Sequence, residues 1–502
     1  MKSLILLATV ALLGCFDPSI TDGSIRCDLG SESVCPPGLQ CADDGLCYRT
    51  APGETPGQIP DRPDSTEPGD VAWAATSRSD HLDSAHAIAA SDDSVVIGGA
   101  ISSRNFGFGD FELPGDDAQG LVAELSPATG EVRTARLLGS QFNDSVRAVS
   151  FDADGNLLVG GFFGHTVDFG GVERTALGGG DAFVAKYDPQ DELLWVRSFP
   201  SSGTLGVVNG ITVDSDSGQI FIAGSFDGET AFGSFDESSE LGTSHAFVAS
   251  LRPDGIVSWV QTIGSSQGAE ATAVAFADER VVVAGSFEGE RLDGVAATAV
   301  GRDGFIAAFT SSGAGTWERH VAGNGDDQIH GLVARGQSVV VGGDASPGAR
   351  FEGTDFSIEE GVFQHGFVAE LSAGDGGTVE ALPYFAGSSS SVRGLAIDDQ
   401  GNLAATGWIS GTVALGAEMV VASESPVAPF VVVYSSSSLY HRPQWARAFP
   451  VEYRGHGQGV AFDAAGRVAV VGVFSGAFEI GEVSATTQAN ADGLFVASLW
   501  AD

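Results

Sequence analysis

Short apolar runs alternate with short polar turns from residue 71 onward, and the alternation repeats seven times at intervals of 58 to 65 residues. The most regular run places glycine among aliphatic and aromatic residues, as in "LLVGGFF" at 157–163 and "IFIAGSF" at 220–226. We call its last glycine the anchor glycine of each copy. The seven are Gly99, Gly161, Gly224, Gly285, Gly343, Gly407 and Gly472. A period of this length predicts a radial or stacked repeat fold.

Three other runs keep the same step: an opening run such as "VRAVSFD" at 146–152, a run such as "DAFVAKY" at 181–187, and a run such as "LLWVRSF" at 193–199. The Phe, Val and Ala content of the "DAFVAKY" type predicts strands buried on both faces. The last run carries tryptophan in four copies, at Trp195, Trp259, Trp317 and Trp445. Each copy therefore offers four strands separated by turn residues, without sustained helical periodicity.

Four strands per copy and seven copies predict an all-β, seven-bladed β-propeller over residues 71–502. The last copy ends at "LFVASLWAD" without a tryptophan strand of its own. A matching strand, "VAWAATSR" at 71–78, lies at the other end with Trp73 in the expected place. We expect this strand to complete the last blade and to close the ring.

These runs resemble the SBBP-type β-propeller repeats of bacterial secreted and surface proteins, through "AVAxDxxGNxxVxGxF", "DAFVAKxxxxG" and "WxRxF" over about residues 71–502. The resemblance implies a fold and an exported location. It implies little about function, because scaffold residues carry it.

The first residues, "MKSLILLATVALLGC", combine Lys2, an apolar stretch and a small residue before Cys15. The apolar stretch is too short to span a bilayer. The ending resembles a bacterial lipobox, which implies a signal peptide over 1–14 and a lipid on Cys15. A plain secretory signal is the alternative. Phe16 after that cysteine, by resemblance to enteric sorting, favours the outer membrane, on its periplasmic or cell-surface face.

The remaining cysteines lie within residues 15–50, at Cys27, Cys35, Cys41 and Cys47. An even number at this density in an exported segment predicts two disulfides, with three possible connectivities. A zinc site is the alternative, although paired CxxC motifs are missing. The segment resembles Cys-rich modules of some myxobacterial-type lipoproteins. Residues 51–70, rich in proline, predict an extended tether.

The chain has 66 acidic and 24 basic residues and a formal charge of −42. That charge repels phosphate backbones, so nucleic-acid binding is not expected. We expect a monomer without a cofactor or metal, attached to the membrane through its lipid.

Catalytic motifs are weak. Gly264-Ser265-Ser266-Gln267-Gly268 matches GxSxG, but a nucleophile elbow needs a strand before it and a helix after it. Asp152-Ala153-Asp154-Gly155-Asn156 resembles a calcium loop, but the twelfth position is Phe163 instead of glutamate. Both motifs are interpreted as turns.

The first strand of each copy begins with a polar residue followed by Ala or Gly. We call these seven residues the channel ring: His86, Arg147, Asn209, Thr272, His330, Arg393 and Gln458. First strands line the channel of a propeller, so we expect a polar layer in which Arg147 and Arg393 face each other. The layer is a candidate site for a small anion, carboxylate or sugar acid, which His86 and His330 would bind more tightly below about pH 6.5. Satisfaction of strand ends and ordered water is the alternative role.

Three functions follow as hypotheses. The favoured one is a non-enzymatic recognition scaffold, anchored in the envelope or at the surface, for a protein or glycan. The second is a structural or outer-membrane assembly scaffold. The third is a propeller polysaccharide lyase or hydrolase.

Overall fold

The computed structural model describes residues 39–41, 47–49, 67–103, 105–108, 111–114, 119–139, 144–291, 297–351, 354–355, 364–382, 385–415, 419–436, 443–488 and 491–501. The chain forms two compact units, Met1–Ser65 and Thr66–Asp502. In the first unit, strands Leu39–Cys41 and Cys47–Arg49 pair antiparallel, with Cys41 opposite Cys47. The side chains of both cysteines, and the whole of Cys15, Cys27 and Cys35, lie outside the described residues.

The described part of the second unit contains strands and turns but no α-helix, as the sequence predicts, and its topology is that of a β-propeller. Seven successive antiparallel sheets carry four main strands each. Sheet 1 has Ser84–Ala90, Val95–Ile101, Gln119–Leu125 and Val132–Leu138. Sheet 2 has Ser145–Phe151, Leu157–Phe163, Asp181–Tyr187 and Leu193–Phe199. Sheet 3 has Val207–Val213, Ile220–Phe226, His245–Leu251 and Val257–Ile263.

The later sheets repeat this order. Sheet 4 has Gly268–Ala277, Arg280–Glu290, Thr298–Thr310 and Gly315–Ala322. Sheet 5 has Gln328–Arg335, Ser338–Ala345, His365–Ser372 and Thr378–Leu382. Sheet 6 has Ser390–Ile397, Leu403–Ile409, Ala428–Tyr434 and Pro443–Ala448. Sheet 7 has Arg454–Phe462, Arg467–Ser475 and Gly493–Trp500, and its fourth strand is Val71–Arg78.

Small hairpins follow the second strand in six of the described sheets, a feature that the four-strand reading of the sequence missed. They are Asn105–Phe108 with Phe111–Pro114, Thr166–Asp168 with Glu173–Thr175, Glu229–Phe232 with Phe235–Ser238, Arg350–Phe351 with Thr354–Asp355, Thr412–Ala414 with Val420–Ala422, and Ala477–Ile480 with Val483–Thr486. The strand Ala386–Gly387 pairs with the fifth of them. The first joins the fourth strand of sheet 7, and the fourth joins the fourth strand of sheet 4. These two hairpins therefore join neighbouring sheets.

The core consists of apolar clusters that each combine two successive sheets. In sheet 2 the third strand, Asp181–Tyr187, is buried along its whole length, as its composition predicts. One cluster places Val471 and Val496 of sheet 7 with Val95 and Ile97 of sheet 1. The first strand of sheet 7 also contacts the first strand of sheet 1, as successive first strands do elsewhere. Sheets 7 and 1 thus meet like any other neighbouring pair.

Tryptophans on the fourth strands of sheets 2, 3, 4 and 6 fasten each of these sheets to the next. The indole Nε1 of Trp195 donates a hydrogen bond to the Pro253 main-chain oxygen at 3.0 Å, and the ring lies against Gly255. The same donor pairs are Trp259 with Ser311, Trp317 with Ala373, and Trp445 with Ala501. Because a Cβ on the turn glycine would overlap the indole, glycine is required there.

Sheet 1 uses a different fastening, because threonine replaces tryptophan on its fourth strand at Thr134. Its Arg136 guanidinium lies 4.1 Å from the centre of the Tyr187 ring. Arg136 also forms an ion pair with Asp191. Asp191 has a positive φ of 69° and occupies the turn position that glycine occupies in other sheets. A cation over an aromatic ring and an ion pair replace the indole contact at this junction.

Candidate functional site

Each channel-ring residue occupies a β-bulge in the first strand of its sheet. In sheet 2 the pairing register shifts between Val146 and Ala148, which leaves Arg147 without a partner position on the second strand. The register shifts around His86, Asn209, Thr272, His330, Arg393 and Gln458 in the same way. A bulge redirects the side chain of its extra residue, so one local irregularity places all seven side chains.

The anchor glycines explain why the bulge recurs. Gly343 pairs with Ile329, directly before the bulge residue His330. A Cβ at Gly343 would collide with the main-chain oxygen of Gln328. All seven anchor glycines have this close approach to the residue two positions before the ring residue. The glycine visible in the sequence therefore marks the position of the bulge.

All seven channel-ring residues line one cavity of about 190 Å³, and Glu270 is the eighth lining residue. Asn209 Nδ2 donates hydrogen bonds to Glu270 Oε1 at 2.9 Å and to the Ala271 oxygen at 3.0 Å. Thr272 Oγ1 donates to the Ile329 oxygen at 2.7 Å. These polar groups are held in place by the protein itself.

The two ring histidines also have protein partners. His330 Nε2 lies 2.8 Å from Asp344 Oδ1, and Ser391 Oγ donates to the same oxygen at 2.6 Å. His86 Nε2 lies 2.9 Å from Ser84 Oγ.

The prediction that His86 adds charge near pH 6.5 is wrong. Burial, and secondly the charge of Arg147, lowers the pKa of His86 to about 3. His86 is therefore neutral between pH 5 and 8. His456, at the neighbouring cavity of about 280 Å³, behaves alike, since burial and the charge of Arg393 lower its pKa to about 4.

The two ring arginines keep donor capacity. Arg147 Nε and Arg393 Nε are buried, and neither has a hydrogen-bond partner among the described residues. Arg393 Nη1 makes one long contact with Gln458 Oε1, at 3.5 Å. Burial lowers the pKa of both arginines, opposed by Glu270 for Arg147 and by Asp344 for Arg393. An arginine remains protonated despite such a shift.

Sequence reasoning missed the two carboxylates of this site, Glu270 and Asp344. Glu270 stands two positions before Thr272, where the other copies have Ser, Val, Gln or His. Asp344 follows its anchor glycine, where the other copies have Ala, Phe, Ser, Trp or Val. Each is thus the only acid among seven equivalent positions, and that departure is a signal a repeat alignment contains.

A second cavity of about 210 Å³ lies on the other side of the channel ring. It is lined by ring residues and by the two residues that follow them in most sheets. The residues two positions after the ring are all aliphatic: Ile88, Val149, Ile211, Val274, Leu332, Leu395 and Val460. We call this set the aliphatic layer. The channel therefore changes from polar to apolar within two residues of strand.

The two motifs interpreted as turns are turns in the structure. Gly264–Gly268 connects strand Val257–Ile263 to strand Gly268–Ala277, so no helix follows Ser266. Asp152 Oδ1 accepts the main-chain N–H groups of Asp154 and Asn156, and Asp152 Oδ2 pairs with Lys186 Nζ at 2.6 Å. This carboxylate stabilises its own hairpin.

Within the described ranges, no group of three or more His, Cys, Asp or Glu side chains is arranged to hold a metal ion. No helix in that part of the chain is long and apolar enough to cross a membrane.

Comparison with solved structures finds propellers at low similarity. The chain is similar to the Neurospora crassa Pan2 WD40 domain, with 9% identity, 82% of this chain and 88% of that chain covered, and a TM-score of 0.39. It is similar to BamB from Moraxella catarrhalis with 10% identity, 88% of this chain and 95% of that chain covered, and a TM-score of 0.33. It is similar to the quinohemoprotein alcohol dehydrogenase from Comamonas testosteroni with 9% identity, 86% of this chain and 76% of that chain covered, and a TM-score of 0.39.

At these TM-scores the likeness carries no functional argument, and the fold assignment depends on the strand pairing described above. No protein-family model matches the chain, so the resemblance to SBBP repeats stays a prediction. No curated protein matches it either.

Proposed function

We propose that the protein is a non-enzymatic binding module, a closed seven-bladed propeller that takes a small anion at the channel ring. The seven blades are the seven sheets. The contact between the first strands of sheets 7 and 1, and their shared apolar cluster, support closure.

One observation carries the ligand site: the guanidinium groups of Arg147 and Arg393 line one cavity, and each has a buried Nε–H without a partner among the described residues. A buried donor without an acceptor costs free energy. A carboxylate supplies acceptor oxygens for planar guanidinium donors. A bound anion would remove the cost at both arginines.

The site contains charges of both signs. Arg147 and Arg393 contribute two positive charges, and Glu270 in the lining and Asp344 beside His330 contribute two negative charges. His86 is neutral between pH 5 and 8. The formal charges of the two arginines and the two acids therefore cancel. Binding of an anion then depends on direct hydrogen bonds from the two guanidinium groups and not on a local excess of positive charge.

We also propose a location in the cell envelope and a partner for the propeller. A lipid on Cys15 would attach the chain to the outer membrane, and the loops would present the propeller to a protein or glycan. Protease treatment of intact cells tests the exposed location. Cleavage only after cell disruption would contradict a surface position and favour the periplasmic face.

The ligand site is tested with the double variant Arg147→Gln, Arg393→Gln. Acetate should raise the melting temperature of the wild type, and the double variant should lose that rise because its neutral amides bind a carboxylate weakly. The matched control is Arg78→Gln with Arg252→Gln, which removes the same charge from exposed ion pairs. Equal acetate stabilisation in both variants would reject the site.

A further inference from the structure

The aliphatic layer lies directly beyond the channel ring. Along a strand, two residues correspond to about 6–7 Å, so a ligand bound at the arginines is within reach of this layer. The residues between the two layers are all small: Ala87, Ala148, Gly210, Ala273, Gly331, Gly394 and Gly459. No large side chain therefore separates the polar layer from the apolar one.

The aliphatic side chains keep surface in the channel. Val274 and Val460 are 6% exposed, and the other five members are partly exposed. Apolar surface in a confined channel is a favourable environment for an alkyl group, which leaves water on binding. A hydroxyl group placed there would lose its hydrogen bonds to water and find aliphatic neighbours.

We propose that the channel binds a straight-chain monocarboxylate, with its carboxylate between Arg147 and Arg393 and its alkyl chain against the aliphatic layer. The proposal rests on the proposed function and narrows its ligand class. A sugar acid satisfies the arginines but not the aliphatic layer. An alkyl amine satisfies the aliphatic layer but is repelled by the arginines.

Titration calorimetry of the full chain with acetate, butyrate and hexanoate tests the proposal. Each added methylene group should strengthen binding about fourfold, so hexanoate, with four more methylene groups, should bind about 250-fold more tightly than acetate. Glucuronate should bind no better than acetate, and hexylamine should not bind. If acetate and hexanoate bind equally, this inference is overturned and the anion site stands. If none of the carboxylates binds, both are overturned.

A variant of the aliphatic layer distinguishes the contribution of the alkyl chain to affinity from that of the carboxylate. The triple change Val149→Thr, Val274→Thr, Val460→Thr keeps side-chain shape and introduces hydroxyl groups. Hexanoate affinity should fall about tenfold, because the new hydroxyl groups must lose hydrogen bonds to water when the alkyl chain covers them, while acetate affinity stays unchanged, since only the alkyl chain meets these positions. The control changes the half-exposed Val172 and Val379 to threonine and should leave both affinities unchanged. If the triple variant does not fold, the ratio of hexanoate to acetate affinity in the wild type decides alone.

Discussion

Trp73 donates its indole Nε1 hydrogen to the main-chain oxygen of Pro127 at 2.7 Å, 54 residues along the chain. Its ring also lies against Gly130. This contact joins sheet 7 to sheet 1 with the geometry that Trp195 and Trp317 use between sheets next to each other in sequence.

Replacing Trp73 by alanine should lower the free energy of unfolding by about 3–5 kcal/mol, because a buried aromatic ring is lost and a cavity remains. Urea denaturation measures the change. Leu194→Ala is the control, since Leu194 is 50% exposed on the fourth strand of sheet 2. A loss as small as that of the control would contradict a fastening role for Trp73.

Deleting residues 71–78 should be much more destabilising than deleting residues 16–60. The first deletion removes the strand paired with Gly493–Trp500 and exposes a sheet edge. Differential scanning calorimetry of the two truncated proteins compares them. Equal melting temperatures would count against closure by this strand.

Changing the anchor Gly343 to alanine should destabilise the protein by about 1–3 kcal/mol, the usual cost of overpacking, because the new Cβ meets the Gln328 oxygen. Gly315→Ala is the matched control. A Cβ at Gly315 meets only Phe309, at 4.0 Å, so that variant should be neutral or slightly stabilised. Thermal melts of both variants measure the difference, and equal effects would argue against a bulge dictated by glycine.

Asp327 should make the protein less stable as the pH rises from about 4 to 7. Burial raises the pKa of Asp327 to about 7, against hydrogen bonds donated by Ser346. Above about pH 4 this carboxyl ionises in the unfolded chain but stays protonated in the folded protein, which lowers the free energy of unfolding. The loss becomes constant above the pKa that the carboxyl has in the folded protein. Asp327→Asn should therefore gain about 1–3 kcal/mol relative to wild type between pH 4 and 8. The exposed Asp216→Asn serves as control, and parallel stability curves for wild type and Asp327→Asn would refute the prediction.

Anion binding should not strengthen through ionisation of His86 between pH 8 and 5, since its pKa is about 3. His86→Gln should leave the pH profile of acetate binding unchanged over that range. The lowered pKa has a second consequence: the neutral ring favours the folded state above about pH 6.5, and this contribution decreases as pH falls toward 3. NMR titration of the imidazole gives the pKa directly, and a midpoint near 6.5 would overturn both statements.

A Cys15→Ala variant should leave the detergent phase in a phase-partition assay, because it cannot carry the lipid anchor that its resemblance to a lipobox implies. Membrane partitioning equal to that of the wild type would refute lipid attachment at Cys15. A variant of a downstream residue, Ser19→Ala, is the processing control.

The repeating features could be predicted from the sequence because the same pattern occurs in seven copies, which distinguishes it from chance. The anchor glycines and the tryptophan runs predicted the strands of each sheet. The positions of Arg147 and Arg393 in the ring were predicted from their equivalent place in the first strand of each copy. The hairpins after the second strands were missed because their runs are short and differ between copies. The neutral state of His86 depends on burial and on the charge of Arg147, which contacts between sheets determine. Glu270 and Asp344 occur in single copies, so the repeat average conceals them.

The bulges assign two different roles to two sets of positions, one that fixes the backbone and one that supplies the side chains of the channel. The anchor glycine holds the backbone through contacts with main-chain atoms, while the bulge residue takes no part in strand register. A change at His86 or Gln458 therefore alters the chemistry of the channel ring without disturbing the pairing of a strand. Each of the seven ring residues can therefore be substituted independently of the others. This makes the channel a suitable starting point for selecting propellers with new ligand specificities.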